Sequence, residues 1–173
     1  MLMVIVLGSV IALAALAMCW VLISRNLDIK EKGLRLDDQQ KRMAPIAALK
    51  ISACERLTIM LERSTPTSVV MRLPVAGMTA AQLQLEVIKS IRQEFEHNVG
   101  LQIYVQAETW QSIVQAREET IEIIKLAFQD LTTQTTSIEL SQRIFLLEAK
   151  TENAAIQTAL EKIKEEIQQQ FSM

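Results

Sequence analysis

The chain has few of the residues that build turns, metal sites and disulfide frameworks. Four glycines and three prolines in 173 residues are too few for an all-β fold with its many turns, and the abundance of Gln, Glu, Ala, Leu and Ile favours helix. Of the two cysteines, Cys19 falls in an apolar N-terminal segment and Cys54 in a predicted helix. That placement gives no plausible disulfide, and both are expected as free thiols. His97 is the single histidine, so no zinc spacing exists. Gly-x-x-x-x-Gly-Lys, Gly-x-Ser-x-Gly and His-Glu-x-x-His are absent, which removes the geometry of the common nucleotide, hydrolase and metalloprotease routes. Eighteen basic against twenty acidic side chains give a net charge of -2. With no basic block outside residues 25–42, neither a nucleic-acid surface nor a cofactor is expected.

Charge is also missing from residues 1–24, where Val, Ile, Leu, Ala and Met dominate. A helix needs about 20 apolar residues to cross the ~30 Å hydrocarbon core, and Leu2 to Ile23 supplies them. Residues 1–24 are therefore expected to be a transmembrane anchor. Basic side chains mark the cytoplasmic end of a span, and here Arg25, Lys30, Lys32 and Arg35 follow it while none precedes it. The expected topology is single-pass in the cytoplasmic membrane, N-terminus outside, with the rest of the chain cytoplasmic. A cleaved signal would want a basic n-region and a shorter apolar core. Lipidation at Cys19 would want a small residue where Met18 stands. Gly8, Ser9, Ala12 and Ala15 form either a helix-pairing stripe or an Ala-rich lipid face.

Residues 25–44 read as a juxtamembrane helical stalk, with Gly33 loosening it and Pro45 biasing residue 44 away from helix. Residues 45–131 are expected to form a helical core domain and residues 132–173 a C-terminal helical pair. In 46–63 the apolar positions Ile46, Leu49, Ala53, Leu57, Met60 and Leu61 lie on one stripe. Thr65-Pro66 starts a new turn. Thr79-Ala80-Ala81-Gln82 is a capping box that opens a helix burying Leu83, Val87, Ile91 and Phe95, with Asn98 and Gly100 ending it.

Leu101 to Val105 alternates like a strand but lacks a partner, so it is expected as an extended connector. Trp110, Val114, Arg117, Ile121, Ile124, Phe128 and Leu131 form a heptad-like seam over about 107–131. Thr136-Ser137-Ile138-Glu139 is a second capping box, after a polar linker that could let the last helices swing or exchange between subunits. Those helices direct Ile144 and Leu147, then Ile156, Leu160, Ile163 and Ile167, inward, with Glu161, Lys162, Lys164, Glu165 and Glu166 outward. The whole is an all-α protein: an N-terminal transmembrane helix, a stalk and a bundle of about five helices.

The densest polar run is Arg92-Gln93-Glu94-Phe95-Glu96-His97-Asn98. Glu94 and Glu96 diverge by about 200° on a helix, and His97 with Glu94 makes only two ligands, so catalytic or metal chemistry is not expected. Glu55-Arg56 and Glu62-Arg63 recur seven residues apart and are expected to cross-pair with Arg92, Glu94 or Glu96. Arg56, Arg92, Glu94, Glu96, His97, Asn98, Tyr104 and Trp110 are the candidate binding residues. For the two aromatics the alternative is packing, Trp110 in the seam with Tyr104 covering it.

Cys54-Glu55-Arg56-Leu57 through Leu61-Glu62-Arg63, Gly77-Met78-Thr79-Ala80, Gln82-Leu83, Ile91 through Asn98, Tyr104-Val105 and Trp110 together resemble a family of uncharacterised bacterial proteins. The resemblance covers about residues 1–130 and is most specific in Glu-Phe-Glu-His-Asn. It implies one N-terminal membrane helix and a helical cytoplasmic domain with no assigned activity. Cys54 stands where that pattern leads one to expect an aromatic residue. The expected function is a membrane-anchored, non-enzymatic scaffold or adaptor that binds a protein partner or self-associates. The alternative is a sensory module binding a small ligand or peptide near 92–110.

Overall fold

The computed structural model describes residue 1, residues 18–20 and 25, and residues 44–74, 76–132 and 134–171. The expected anchor (1–24) and stalk (25–44) lie almost wholly outside the described residues. Among the described residues no helix is long and apolar enough to cross a membrane. Residues up to Ile46 and those from Ala47 on form separate compact units.

The second unit is built from α1 (44–63), which begins just ahead of it, and from α2 (Pro66–Arg72), α3 (Ala80–Asn98), α4 (Ala107–Phe128), α5 (Ser137–Thr151) and α6 (Ala154–Phe171). A 3-10 helix, Val99–Tyr104, joins α3 to α4. Described residues 44–171 thus carry six α-helices where about five were expected, and no strand is found among the described residues.

The ends of these helices follow local chemistry. α1 stops where the proline at 66 pushes Thr65 to φ -59°, ψ 142°, as the residue before a proline prefers. Ser64 closes that end by donating its hydroxyl to Met60 O at 2.7 Å. Thr65 caps α2 by accepting from Ser68 N at 3.3 Å. At α3 both halves of the capping box form: Gln82 N donates to Thr79 Oγ1 at 3.2 Å and Thr79 N donates to Gln82 Oε1 at 3.0 Å. At α5 Thr136 accepts from Glu139 N at 3.4 Å.

The two capping segments are also stitched together, since Ala80 N donates to Thr135 O at 2.8 Å and Ser137 N to Met78 O at 3.3 Å. The polar linker expected to be loose is therefore tied to the start of α3.

Two apolar cores share the same pair of long helices. Cys54, Leu57 and Leu61 of α1 meet Ile156, Ala159 and Ile163 of α6 around Phe95 of α3 and Ile113 of α4. Val69 and Val70 of α2 meet Leu140 and Ile144 of α5 around Leu83, Val87 and Ile91 of α3 and Ile121 and Ile124 of α4. α3 and α4 thus form a spine, clasped by α1 and α6 at one end and by α2 and α5 at the other.

Four expectations need correction. Leu101–Tyr104 belong to the 3-10 helix, and Val105 is the extended residue after it; without a strand partner, the backbone groups here are satisfied by local i→i+3 bonds. Ala44 and Pro45 are already helical, so the bias before proline is overridden. Ile46 and Leu49 are more than half exposed, and the buried stripe of α1 begins at Ala53. In α4 the buried residues are Thr109, Ile113, Ala116, Thr120, Ile121, Ile124 and Ala127. Ile121 and Ile124 belong to the expected seam, whereas Thr109, Ile113, Ala116, Thr120 and Ala127 each lie one residue before a seam position, and Trp110, Val114, Phe128 and Leu131 are only partly buried. α4 packs against α6 as well as α3 and α5, so burial follows several neighbours and not one coiled-coil partner.

Candidate functional site

The polar residues picked out by sequence divide into two groups. Arg56 Nη2 lies 3.5 Å from Asn98 Oδ1, and the buried Asn98 turns its Nδ2 back onto Glu94 O at 2.8 Å. Arg63 Nε pairs with Glu94 Oε1 at 3.1 Å. The expected α1–α3 network exists, but Glu94 pairs with Arg63, further along α1, and Arg56 takes Asn98. Arg72 Nη2 donates to Arg63 O at 2.7 Å; burial first, and then the Arg63 charge, hold its guanidinium below its ordinary value. These contacts lock α1, the end of α2 and α3 together.

Phe95 and Trp110 pack with ring centroids 5.2 Å apart at 37°. Arg117, which interrupts the apolar pattern of α4, lies 4.2 Å over the Phe95 ring. That cation–π contact explains why a charged residue sits on this face. Trp110 is therefore a packing residue, and Tyr104 is half-buried in the 3-10 helix. The cavity beside Phe95 and Ile113 is about 10 Å³, room for roughly one water. Arg92, Glu96 and His97 are exposed and do not join the locked group.

One buried and one half-buried carboxylate hold helices together that the sequence pattern does not pair. Glu166, expected on the outer face of α6, has a side chain 1% exposed and pairs with Lys50 Nζ at 3.0 Å. Its two oxygens also accept from Gln106 N at 2.9 and 3.1 Å, so one group joins α1, α6 and the N-terminus of α4, where negative charge is favoured. The signal was available, because 166 follows Ile163 by three and continues the stripe 156, 159, 160, 163.

Glu148 of α5 does the same for α2. It accepts from Thr67 N at 2.7 Å, from Thr67 Oγ1 in a short contact, and from Asn153 Nδ2 at 2.7 Å. Beside the first junction the Cys54 thiol is buried and free. Burial, with Glu166 adding to it and Lys50 opposing, pushes its pKa up, which favours the protonated thiol at this core position. Among the described residues no group of three or more His, Cys, Asp or Glu is placed to hold a metal.

What the surface does offer is an apolar groove between α2 and α5. It holds about 310 Å³ and is lined by Val70, Met71, Leu73, Ile138 and Phe145, with Ser141 and Gln142 at its edge. Met71 is 74% and Ile138 63% exposed. Grouped exposed apolar side chains of this kind can serve protein, ligand or membrane contacts.

Residues 1–170 match the model of a family described as "Family of unknown function (DUF7935)". No curated protein and no solved structure matches the chain.

Proposed function

The chain belongs to this family of unknown function, and we propose that it is a membrane-anchored, non-enzymatic adaptor whose helical domain binds an amphipathic helix of a partner protein. The anchor rests on the uncharged stretch Leu2–Ile23 and the basic flank Arg25, Lys30, Lys32 and Arg35, which together favour a single pass with the domain in a bacterial cytoplasm.

The groove between α2 and α5 carries the reading. A helix presenting apolar side chains at i, i+3 and i+7 fits such a groove, and the unbranched Met71 adapts to its shape. The locked Arg56–Asn98 and Arg63–Glu94 pairs and the Phe95–Trp110 stack make the 92–110 region the less suitable place for a ligand.

In-cell crosslinking from a photoreactive residue at position 138, read by mass spectrometry, tests this. The expected product is a crosslink to one helical segment of another protein, lost in Met71→Lys and kept in Arg92→Ala/His97→Ala. Loss in the second variant with retention in the first would move the site to the exposed polar face. A crosslink to position 138 of a second copy would replace the adaptor with self-association.

A further inference from the structure

A second cavity, independent of the groove above, lies between the C-terminal half of α4 and the α5–α6 turn and holds about 220 Å³. Its apolar walls come from Ile123 and Leu126 of α4 and from Ile156 of α6. The polar side chains around it offer acceptors, while the first-turn amides of α6 are donors. Thr120 donates its hydroxyl proton to Ala116 O at 2.7 Å and Thr151 to Glu148 O at 3.2 Å. Asn153 uses Nδ2 on Glu148 Oε1 while its buried Oδ1 has no partner.

Glu119 and Glu122 contribute two carboxylates one turn apart on α4. Glu119 accepts from Gln115 Nε2 at 2.8 Å and Glu122 from Lys125 Nζ at 3.1 Å. Each carboxylate has room for about four donors, so both keep acceptor capacity. The Lys125 pair is more than half exposed on both sides and offsets little of the negative charge.

We infer that this cavity binds a small primary ammonium compound with an apolar body, the ammonium against Glu119 and Glu122 and the body against Ile123, Leu126 and Ile156. The geometry supplies what such a ligand lacks, acceptors and opposite charge at one side and an apolar wall at the other. The opposing feature is the first turn of α6, whose amides favour an anion. An anionic ligand is therefore the competing outcome.

The test is isothermal titration of the full chain in detergent micelles with phenethylammonium, 2-phenylethanol and 3-phenylpropionate, each against a micelle blank. The amine is expected to bind at least tenfold tighter than the alcohol and the carboxylate. In Glu119→Gln/Glu122→Gln, which alters exposed side chains only, that preference is expected to disappear while the alcohol binds as before. Equal or tighter binding of the carboxylate, a preference that survives in the variant, or no heat from millimolar amine overturns the assignment.

Discussion

Glu166 of α6 ties three helices together, because Lys50 of α1 and the Gln106 amide at the start of α4 both meet its two oxygens. Glu166→Ala strands Lys50 and the Gln106 amide, and a loss of about 2–3 kcal/mol is expected in chemical denaturation. Glu166→Gln keeps one acceptor for the amide and should cost less.

Cys54, close to that junction, gives a pH dependence. Its folded pKa is raised, above all by burial, so the unfolded chain releases the thiol proton first. The stability it contributes is whole below the ordinary thiol range and is lost as pH rises through the folded value. Denaturation midpoints should fall more steeply above that range in the parent than in Cys54→Ala. Iodoacetamide should label Cys54 in the native state only at the rate of opening. The helical stripe of α6 puts position 166 on the inner face, but that a carboxylate is satisfied there depends on partners distant along the chain, Gln106 and Lys50. Lys50 itself gave no hint either.

Helix ends were the most legible elements, because a cap is satisfied within three residues of itself. Thr65, Thr79 and Thr136 all cap where the sequence places them. Thr79→Ala should cost about 1 kcal/mol, and Thr79→Ala with Thr136→Ala should be non-additive, because their segments share the backbone bonds at Ala80 and Ser137; a double-mutant cycle reads this directly. The α5–α6 turn holds Glu152 at φ 50° and Asn153 at φ 51°. Asparagine tolerates the left-handed region better than glutamate, so Glu152→Gly is expected to raise stability by up to about 1 kcal/mol, seen as a higher denaturant midpoint. The stretch at 101–105 is expected as an extended connector because its alternation has no strand partner. The same lack lets the backbone close local i→i+3 bonds, so Leu101–Tyr104 coil into the 3-10 helix and only Val105 is extended.

At the scale of the whole domain, α3 and α4 run through both cores, so the two should melt together. Leu57→Ala in one core and Leu140→Ala in the other, both fully buried, are each expected to cost about 2–5 kcal/mol. Each should shift one shared calorimetric transition; two separated transitions would show that the cores fold independently. The sequence by itself determined the helical class, the caps and most inward positions, because turn chemistry and the 3.6-residue period act over a few neighbours. Only the tertiary structure decided which face of α4 is most buried, which arginine meets Glu94, that Glu148 and Glu166 turn inward, and where the α2–α5 groove and the α4–α6 cavity lie. Each of these depends on residues distant along the chain arriving at the same place, and periodicity carries no information about which distant helix arrives.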